Sequence, residues 1–169
     1  MRAARDERAR VRGAQRGSAS DLEALFRMHW PRALRAAYLV THDAQAAEDI
    51  AQESFLAAIR ALDTFDRRRP FGPWLHRIVV NRAIDWSRAR RLRSEVELGE
   101  LVPASEEQPE LADETLAALA RLPPEHRAVV VMRYLLEFTP GEIAEALDLP
   151  RGTVNSRLRR GLDTLAEEL

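Results

Sequence analysis

The last thirty residues contain the side chains best suited to bonding with nucleic-acid bases. Asn155, Ser156, Arg159 and Arg160 recur at spacings that place them on one side of a predicted helix. Arg can donate two parallel hydrogen bonds to guanine, and Asn can form an equivalent pair with adenine. The pattern therefore predicts a helix that presents a polar, basic face to the major groove of duplex DNA.

A second short helix is predicted immediately before this one. Thr139 can cap it, Pro140 suits its first position, and Glu142 stands where it completes a capping box. Asp148 follows where the chain must leave the helix, and Asp is one of the few residues other than Gly that tolerates a left-handed conformation. Pro150 then begins the next helix. Two helices joined by such a tight turn predict a helix-turn-helix.

The opposite side of the terminal helix is apolar. Its predicted core residues are Val154, Leu158, Gly161, Leu162, Leu165 and Leu169. The alternative interpretation is a solvated amphipathic helix that happens to be basic. Because the cap, the turn and the polar face agree, the helix-turn-helix is favoured.

Composition excludes several classes of protein. The 169 residues contain no Cys, so there is neither a disulfide framework nor a cysteine-based zinc site. No apolar run has the length of a membrane span and no signal-peptide core follows the N-terminus, so we expect a cytoplasmic protein without membrane insertion. The four histidines are scattered and no Gly-rich phosphate loop is present, so we expect no catalytic residues, no metal and no cofactor.

Charge divides the chain into blocks. Nine arginines lie between Arg67 and Arg93, and eight acids without any basic residue lie between Glu95 and Glu114. This distribution predicts an all-α protein with two helical domains, at residues 18–93 and 112–169, joined by a flexible acidic linker at 94–111. The Arg-rich residues 1–17 lack periodicity and are predicted to be a disordered tail.

The first domain is predicted to contain three helices. Ser20 and Glu23 form a candidate capping box for the first, while the second runs from about Asp43 to Leu62 and the third from about Pro73 to Arg91. The predicted core face of the second helix consists of Ala47, Ile50, Ala51, Phe55, Ala58, Ile59 and Leu62.

One outward face of the second helix is a candidate docking surface. Asp49, Gln52, Glu53, Leu56 and Arg60 share this face, and an exposed Leu among acids suggests a protein interface with a polar rim. The alternative, which the residues alone favour, is an ordinary solvated face.

The third helix and the loop before it are candidates for binding unpaired bases. The loop between Phe65 and Trp74 is dense in aromatic rings and Arg, a combination in which rings stack on bases while Arg neutralises phosphates. A polar stripe on the helix then consists of Arg77, Asn81, Asp85 and Arg88. The alternative is that Phe65 and Trp74 are core anchors beside solvated arginines, and for Trp74 that alternative is favoured.

Four motifs together resemble one family. The stretches 47–55, 73–85, 122–127 and 152–158 are similar to the extracytoplasmic-function sigma factors, the smallest members of the bacterial sigma-70 family. The resemblance covers residues 20–93 and 112–169, in order and with an acidic linker between them. Each motif alone is moderately specific, whereas the four together are highly specific.

The resemblance implies partners for each surface. These are core RNA polymerase, through its β′ coiled coil and β flap, promoter DNA, and an anti-sigma factor. The residues implied in binding core polymerase are Asp49, Gln52, Glu53 and Leu56. Those implied in binding and melting the −10 element are Phe65, Arg68, Phe71, Arg77, Asn81 and Arg88. Those implied at the −35 element are Arg151, Thr153, Asn155, Ser156, Arg157, Arg159 and Arg160.

Two other classes of function compete with this interpretation. A stand-alone helix-turn-helix regulator would usually dimerise on a palindromic site, yet no dimerisation helix is evident and the Phe65–Trp74 loop would have no role. An enzyme would need a catalytic or metal-ligating constellation, which the sequence does not contain.

Overall fold

The computed structural model describes residues 2–96 and 113–169, and every regular element in those ranges is helical. The predicted all-α class is therefore confirmed. A short 3-10 helix spans Leu62–Thr64. The α-helices are α1 (Arg2–Gln15), α2 (Ala19–Thr41), α3 (Ala44–Arg60), α4 (Phe71–Val96), α5 (Asp113–Arg121), α6 (Pro124–Tyr134), α7 (Pro140–Leu147) and α8 (Arg151–Glu168).

Helix α1 occupies the segment predicted to be a disordered tail, so that prediction is wrong. Val11 is 2% exposed and packs into the core of the first domain. The Gln15 side-chain amide donates to the carbonyl oxygens of Leu62 and Phe65, at 2.9 and 3.2 Å. The buried Val11 and the Gln15 amide, together with contacts of Glu7 and Arg10 to α2, dock a helix whose composition is otherwise typical of disorder.

Helix α2 begins earlier than predicted. The Ser18 side chain accepts a hydrogen bond from the Asp21 amide at 3.3 Å and caps the helix, whereas Ser20 lies inside the first turn. The predicted Ser20–Glu23 capping box is therefore wrong. Ser18 acts as the cap because its backbone is extended, as an N-cap residue requires. The helix ends at His42, which has a left-handed φ of 51°.

Helices α3 and α4 complete the first domain around α2. Asp43 caps α3 by accepting from the Ala46 amide at 2.9 Å. Most of the predicted core face of α3 is buried, but Ile59 is 41% exposed and that part of the prediction is wrong. Leu62, also predicted to be core, is buried but lies in the 3-10 helix and not in α3. Helix α4 runs beyond both predicted ends, and the predicted linker lies almost wholly outside the described residues.

Helices α5 to α8 form the second domain, with the predicted helix-turn-helix in α7 and α8. The Thr139–Glu142 capping box is present, and Asp148 adopts the predicted left-handed conformation with a φ of 52°. On α8, Val154 and Leu158 are buried as predicted, but Leu162 and Leu169 are exposed and were wrongly predicted to be core. A Cβ atom at Gly161 would lie 3.0 Å from the Val130 side chain, so glycine permits the close crossing of α6 and α8.

The two domains pack against each other through α2 and α4 of the first and α6 of the second. At the centre of this contact lies the Arg127 guanidinium, which donates to the Val40 carbonyl at 2.7 Å. The same group donates to the carbonyls of Leu122 and Ala120 at 2.9 and 3.2 Å. Burial lowers the pKa of Arg127 to about 10, so the group stays charged at neutral pH. Within the described ranges, no helix is long and apolar enough to cross a membrane.

Candidate nucleic-acid interface

The outer face of α8 is open to solvent. Arg151, Asn155, Arg159 and Arg160 are exposed, whereas Thr153, Ser156 and Arg157 are partly buried beside them. No ion pair with another described residue is formed by Arg151, Arg157, Arg159 or Arg160. Their N–H donors are therefore available to acceptors outside the chain.

The orientation of α8 is set by its buried side. Val154 is fully buried and Leu158 is 9% exposed, which fixes the opposite, polar face outward. Ile143 of α7 is likewise fully buried in the same core. The Leu149 amide donates to the Ala144 carbonyl at 2.9 Å and closes the turn that follows Asp148. The structure therefore brings together the residues predicted to contact the −35 element.

The polar stripe of α4 faces the second domain. The Asn81 amide donates to the carbonyl of Ala146, in α7, at 3.0 Å. Arg88 donates through Nε to Oε1 of Glu125, in α6, at 2.8 Å. Arg77 is exposed one turn before Asn81. The stripe exists as predicted, but its Asn81 and Arg88 side chains are bonded to the other half of the molecule.

The aromatic rings before α4 form a buried cluster. Phe65 and Phe71 are 8% and 3% exposed, and their ring centroids lie 4.6 and 5.6 Å from that of Trp74. The prediction that Phe65 and Phe71 offer faces to unpaired bases is therefore wrong for this conformation. The rings bury one another, and α1 lies over the same loop through Gln15. The alternative of core anchors is the one observed.

The exposed part of this loop is basic. Arg67, Arg68 and Arg69 are all exposed, and Arg68 pairs with Asp66 at 3.0 Å. The hydrogen bond from the Arg68 side chain lowers the pKa of Asp66 to about 2. Arg68, which was predicted to bind DNA, is thus already bonded to an acid. Arg67 and Arg69 form no ion pair with a described residue.

The outward face of α3 has the predicted composition. Asp49, Gln52, Glu53 and Leu56 are exposed, Leu56 by 51%. Glu53 pairs with Arg82 of α4 at 3.1 Å, and both side chains remain largely in solvent.

An apolar cavity of about 270 Å³ lies next to α3, between it and α2. Phe26 and Ile59 border the cavity and are 40% and 41% exposed. This cavity was not predictable from the sequence, because Ile59 has the helical spacing of a core residue. The exposed apolar surface marks the region as a candidate for protein binding.

His76 is buried and His42 is partly buried, in surroundings that suit packing and not acid–base chemistry. Burial lowers the pKa of His76 to about 4, and burial together with the charge of Arg127 lowers that of His42 to about 4. Both are therefore neutral at physiological pH. Across the described part of the chain, no group of acids and histidines has the geometry to hold a metal ion.

Comparison with known proteins assigns both halves to one family. Residues 25–93 match the family model described as Sigma-70 region 2, and residues 112–165 match Sigma-70, region 4. The chain is 34% identical over 167 residues to the ECF RNA polymerase sigma factor SigL of Mycobacterium tuberculosis, covering 93% of each chain. It is 28% identical over 177 residues to the ECF RNA polymerase sigma factor SigW of Bacillus subtilis, covering 95% of each.

A solved structure agrees with this assignment. CnrH, in complex with the cytosolic domain of CnrY, matches with a TM-score of 0.70 and 26% identity, covering 96% of both chains. The paired regions define a sigma factor of the sigma-70 family. Within it, the chain belongs to the extracytoplasmic-function (ECF) group, as its motifs predicted.

Proposed function

We propose that this chain binds core RNA polymerase and directs transcription initiation at promoters that carry specific −35 and −10 elements. The observation that supports this most is the face of α8, where Asn155, Arg159 and Arg160 are exposed and have no acidic partner within the described chain. Such donors on a helix-turn-helix fit base edges in the major groove.

At the −35 element, α8 lies in the major groove. Asn155, Ser156, Arg159 and Arg160 contact base edges, and Thr153 lies at the helix start where it approaches the DNA backbone. Arg151 and Arg157 bond to phosphates, which fixes the register of the helix without specifying sequence.

At the −10 element, the α4 stripe supplies the contacts. Contacts to DNA come from Arg77, Asn81 and Arg88 once the second domain has moved away. In the structure, which we call the closed form, Asn81 and Arg88 are bonded to that domain. Phe65 and Phe71 support the loop from within and do not stack on bases unless the loop opens. Arg68 contacts DNA by exchanging Asp66 for a phosphate.

Core polymerase binds on two separate surfaces. The β′ coiled coil contacts α3 through Asp49, Gln52, Glu53 and Leu56, with the adjoining apolar cavity as a candidate extension. The β flap binds the second domain near an apolar cavity of about 380 Å³, which is bordered by the 60% exposed Tyr134 of α6 and, from the first domain, by Leu39 of α2. The first functional domain comprises residues 18–93, with α1 packed against it. The second comprises residues 112–169, and residues 94–111 are the linker between them.

The chain acts by binding, without chemistry of its own, in the cytoplasm where core polymerase and DNA are found. We propose in addition that an anti-sigma factor controls it. The support is that the similar CnrH forms a complex with the cytosolic domain of CnrY.

Runoff transcription tests the proposal. The purified chain is added to sigma-free bacterial core polymerase on a library of genomic fragments, and discrete promoter-specific transcripts are expected. A chain that yields no transcript, yet binds duplex DNA as a dimer with a palindromic preference, would instead be a stand-alone regulator.

A further inference from the structure

Helix α1 carries a basic stripe that the proposed function does not use. Arg5, Arg8 and Arg12 follow one another at intervals of three and four residues, so they share one face of the helix. All three are exposed, and none of their side chains forms an ion pair or hydrogen bond with a described residue. Three unpaired guanidinium groups on one docked helix favour binding of a polyanion.

The two flanks of α1 differ in charge because one of them is already neutralised. Arg10 pairs with Asp21 of α2 at 2.9 Å and with Asp6 at 3.7 Å. Gln15, on the same side of the helix as the arginine stripe, bonds to the Leu62 and Phe65 carbonyls. The stripe therefore lies on the flank next to the loop that precedes α4, and the paired flank lies against α2.

Contacts of Glu7 fix the orientation of α1 on the first domain. Glu7 accepts from the Phe71 amide at 3.3 Å, at the start of α4, and its Oε1 lies 2.9 Å from Nε2 of His29. The His29 imidazole beside Glu7 is the main cause that holds the pKa of Glu7 below its ordinary value. Glu7 thus faces inward as an anion, while the stripe remains in solvent.

The loop next to α1 extends the basic surface. Arg67 and Arg69 are exposed and unpaired within the described chain, and the one exposed acid nearby in sequence without a described ion pair is Asp63. The α1 stripe and these two arginines lie on adjoining elements, since Gln15 of α1 bonds to the Phe65 carbonyl at the start of this loop.

We propose that the stripe of Arg5, Arg8 and Arg12 binds the phosphate backbone of promoter DNA adjacent to the −10 element. This inference depends on the proposed function, because it takes α4 as the helix that contacts the −10 element. Two features favour DNA as the occupant: the charge complementarity of unpaired guanidinium groups with phosphates, and the continuity of the stripe with the basic loop. Phosphate contacts of this kind raise affinity and fix position without adding sequence preference.

The test uses the full chain assembled with core polymerase. Arg5→Gln, Arg8→Gln and Arg12→Gln are combined in one variant, and promoter binding is measured over a range of salt concentrations. Gln keeps the helix propensity but removes the charge. Loss of three phosphate contacts lowers the slope of log affinity against log salt by roughly two to three. Relative affinity among −10 sequences should stay unchanged, since the stripe contacts no base.

A matched variant with Lys at the same three positions is the control. Lys preserves charge and helix propensity, so its salt slope should stay near that of the original chain. An unchanged slope in the Gln variant would overturn the proposal. So would a Gln variant that competes less well for core polymerase while its DNA slope is unaltered, because the stripe would then bind polymerase.

The same experiment separates this inference from the proposed function. If the original chain supports promoter-specific runoff transcription but the Gln variant keeps its salt slope, only the role of α1 is wrong. If the original chain gives no promoter-specific transcript, the proposed function itself fails.

Discussion

Helices α8 and α4 carry similar polar side chains at helical spacing, yet the structure leaves one face open and covers the other. On α8, Arg159 and Arg160 are exposed and have no partner within the described chain. On α4, Asn81 bonds to the Ala146 carbonyl and Arg88 to Glu125. The difference arises from what packs above each helix, because the residue types are nearly the same.

The two proposed DNA contacts therefore have different free-energy costs. Binding through α8 requires no rearrangement of the domains, whereas binding through α4 requires the α4–α7 contact and the Arg127–Val40 hydrogen bond to break. The apparent affinity for the −10 element is reduced by the fraction of molecules that are open. Core polymerase can lower this cost if it binds the open form better than the closed form.

We expect the greatest loss of DNA binding from substitutions on the exposed face of α8. In Arg159→Ala combined with Arg160→Ala, we expect the isolated chain to lose at least tenfold in affinity for duplex −35 DNA. A good bidentate pair with a base contributes about 1–3 kcal/mol, and neither arginine has an internal partner to replace. Fluorescence anisotropy with a labelled −35 duplex measures the loss.

Arg77→Ala is the matched control for that comparison. Arg77 is exposed on α4, but the stripe it belongs to faces the second domain. We expect it to leave duplex binding by the isolated chain unchanged and to weaken promoter opening only in the assembled polymerase. An equal loss from Arg77→Ala and from the α8 variant in the isolated chain would abolish the distinction between the two faces.

The second effect comes from the buried contact between the domains. Arg127→Met should open the molecule, because it removes the donor to Val40 and leaves buried carbonyls unsatisfied, each at a cost of about 1–3 kcal/mol. The chain has no native Cys, so dyes attached through Asp63→Cys and Glu167→Cys report the separation of the domains by energy transfer. We also expect tighter binding of single-stranded −10 DNA.

Two further variants serve as a control and as a second test for the effect of Arg127→Met. Arg133→Met alters an exposed arginine of the same helix and should not change energy transfer. Arg32→Ala removes an exposed donor to the Leu135 carbonyl at 2.7 Å, between the domains but outside their cores, and should open the molecule partially without unfolding it. Unchanged energy transfer in both Arg127→Met and Arg32→Ala would show that these bonds do not hold the closed form.

Local signals in the sequence were sufficient for much of the fold. The Thr139 capping box and the left-handed Asp148 were predictable because they depend on neighbouring residues alone. The same locality explains why the buried side of α8 was partly mistaken. Leu162 has the spacing of a core residue, but it borders an open apolar cavity beside α6 and remains 39% exposed.

Long-range contacts decided what the sequence could not. Residues 2–15 have a composition typical of disorder. They are helical because Val11 packs into the core and Gln15 donates to carbonyls about fifty residues away in sequence. The cover over Asn81 depends on a contact with Ala146 in the other domain. No periodicity within α4 reports on such a contact, so the stripe was predictable and its closed state was not.

The third effect tests a surface that belongs to neither side of the comparison. Asp49→Ala combined with Glu53→Ala should lower affinity for core polymerase by roughly 1 kcal/mol, mainly by slowing association, because both are rim charges in solvent. The face of α3 is open in the closed form, so the loss should be the same in an Arg127→Met background.

Glu48→Ala is the control, since Glu48 is an exposed acid of the same helix that is not among the residues implied in docking. Competition with a reference sigma factor for core polymerase measures all three variants. Equal losses from Glu48→Ala and from the double variant would mean that general charge, and not the Asp49–Glu53 face, determines docking.

The smallest effect is a pH dependence of the closed form. Burial, with a further contribution from the charge of Arg127, lowers the pKa of His42 to about 4 from an ordinary 6.5. A depressed pKa means that neutral His42 favours the buried state above pH 6.5, and that this stabilisation is lost as pH falls from 6.5 towards 4. We therefore expect energy transfer between the domains to decrease across that window, by the equivalent of about 1 kcal/mol, since opening relieves only part of the burial.

The other groups at this contact have different titration behaviour. Tyr38 packs its ring 5.9 Å from that of His42, and Arg127 stays charged throughout. Burial raises the pKa of Glu125, but the hydrogen bond and charge of Arg88, a backbone hydrogen bond and the charge of Arg157 together outweigh burial and keep that pKa below its ordinary value. The Arg88–Glu125 pair therefore remains ionised through most of the window. His42→Asn keeps a residue that tolerates the left-handed φ of 51° and removes the titrating group, so its energy transfer should be flat with pH. If His42→Asn opens on acidification as the original chain does, another group controls the contact between α2 and α6.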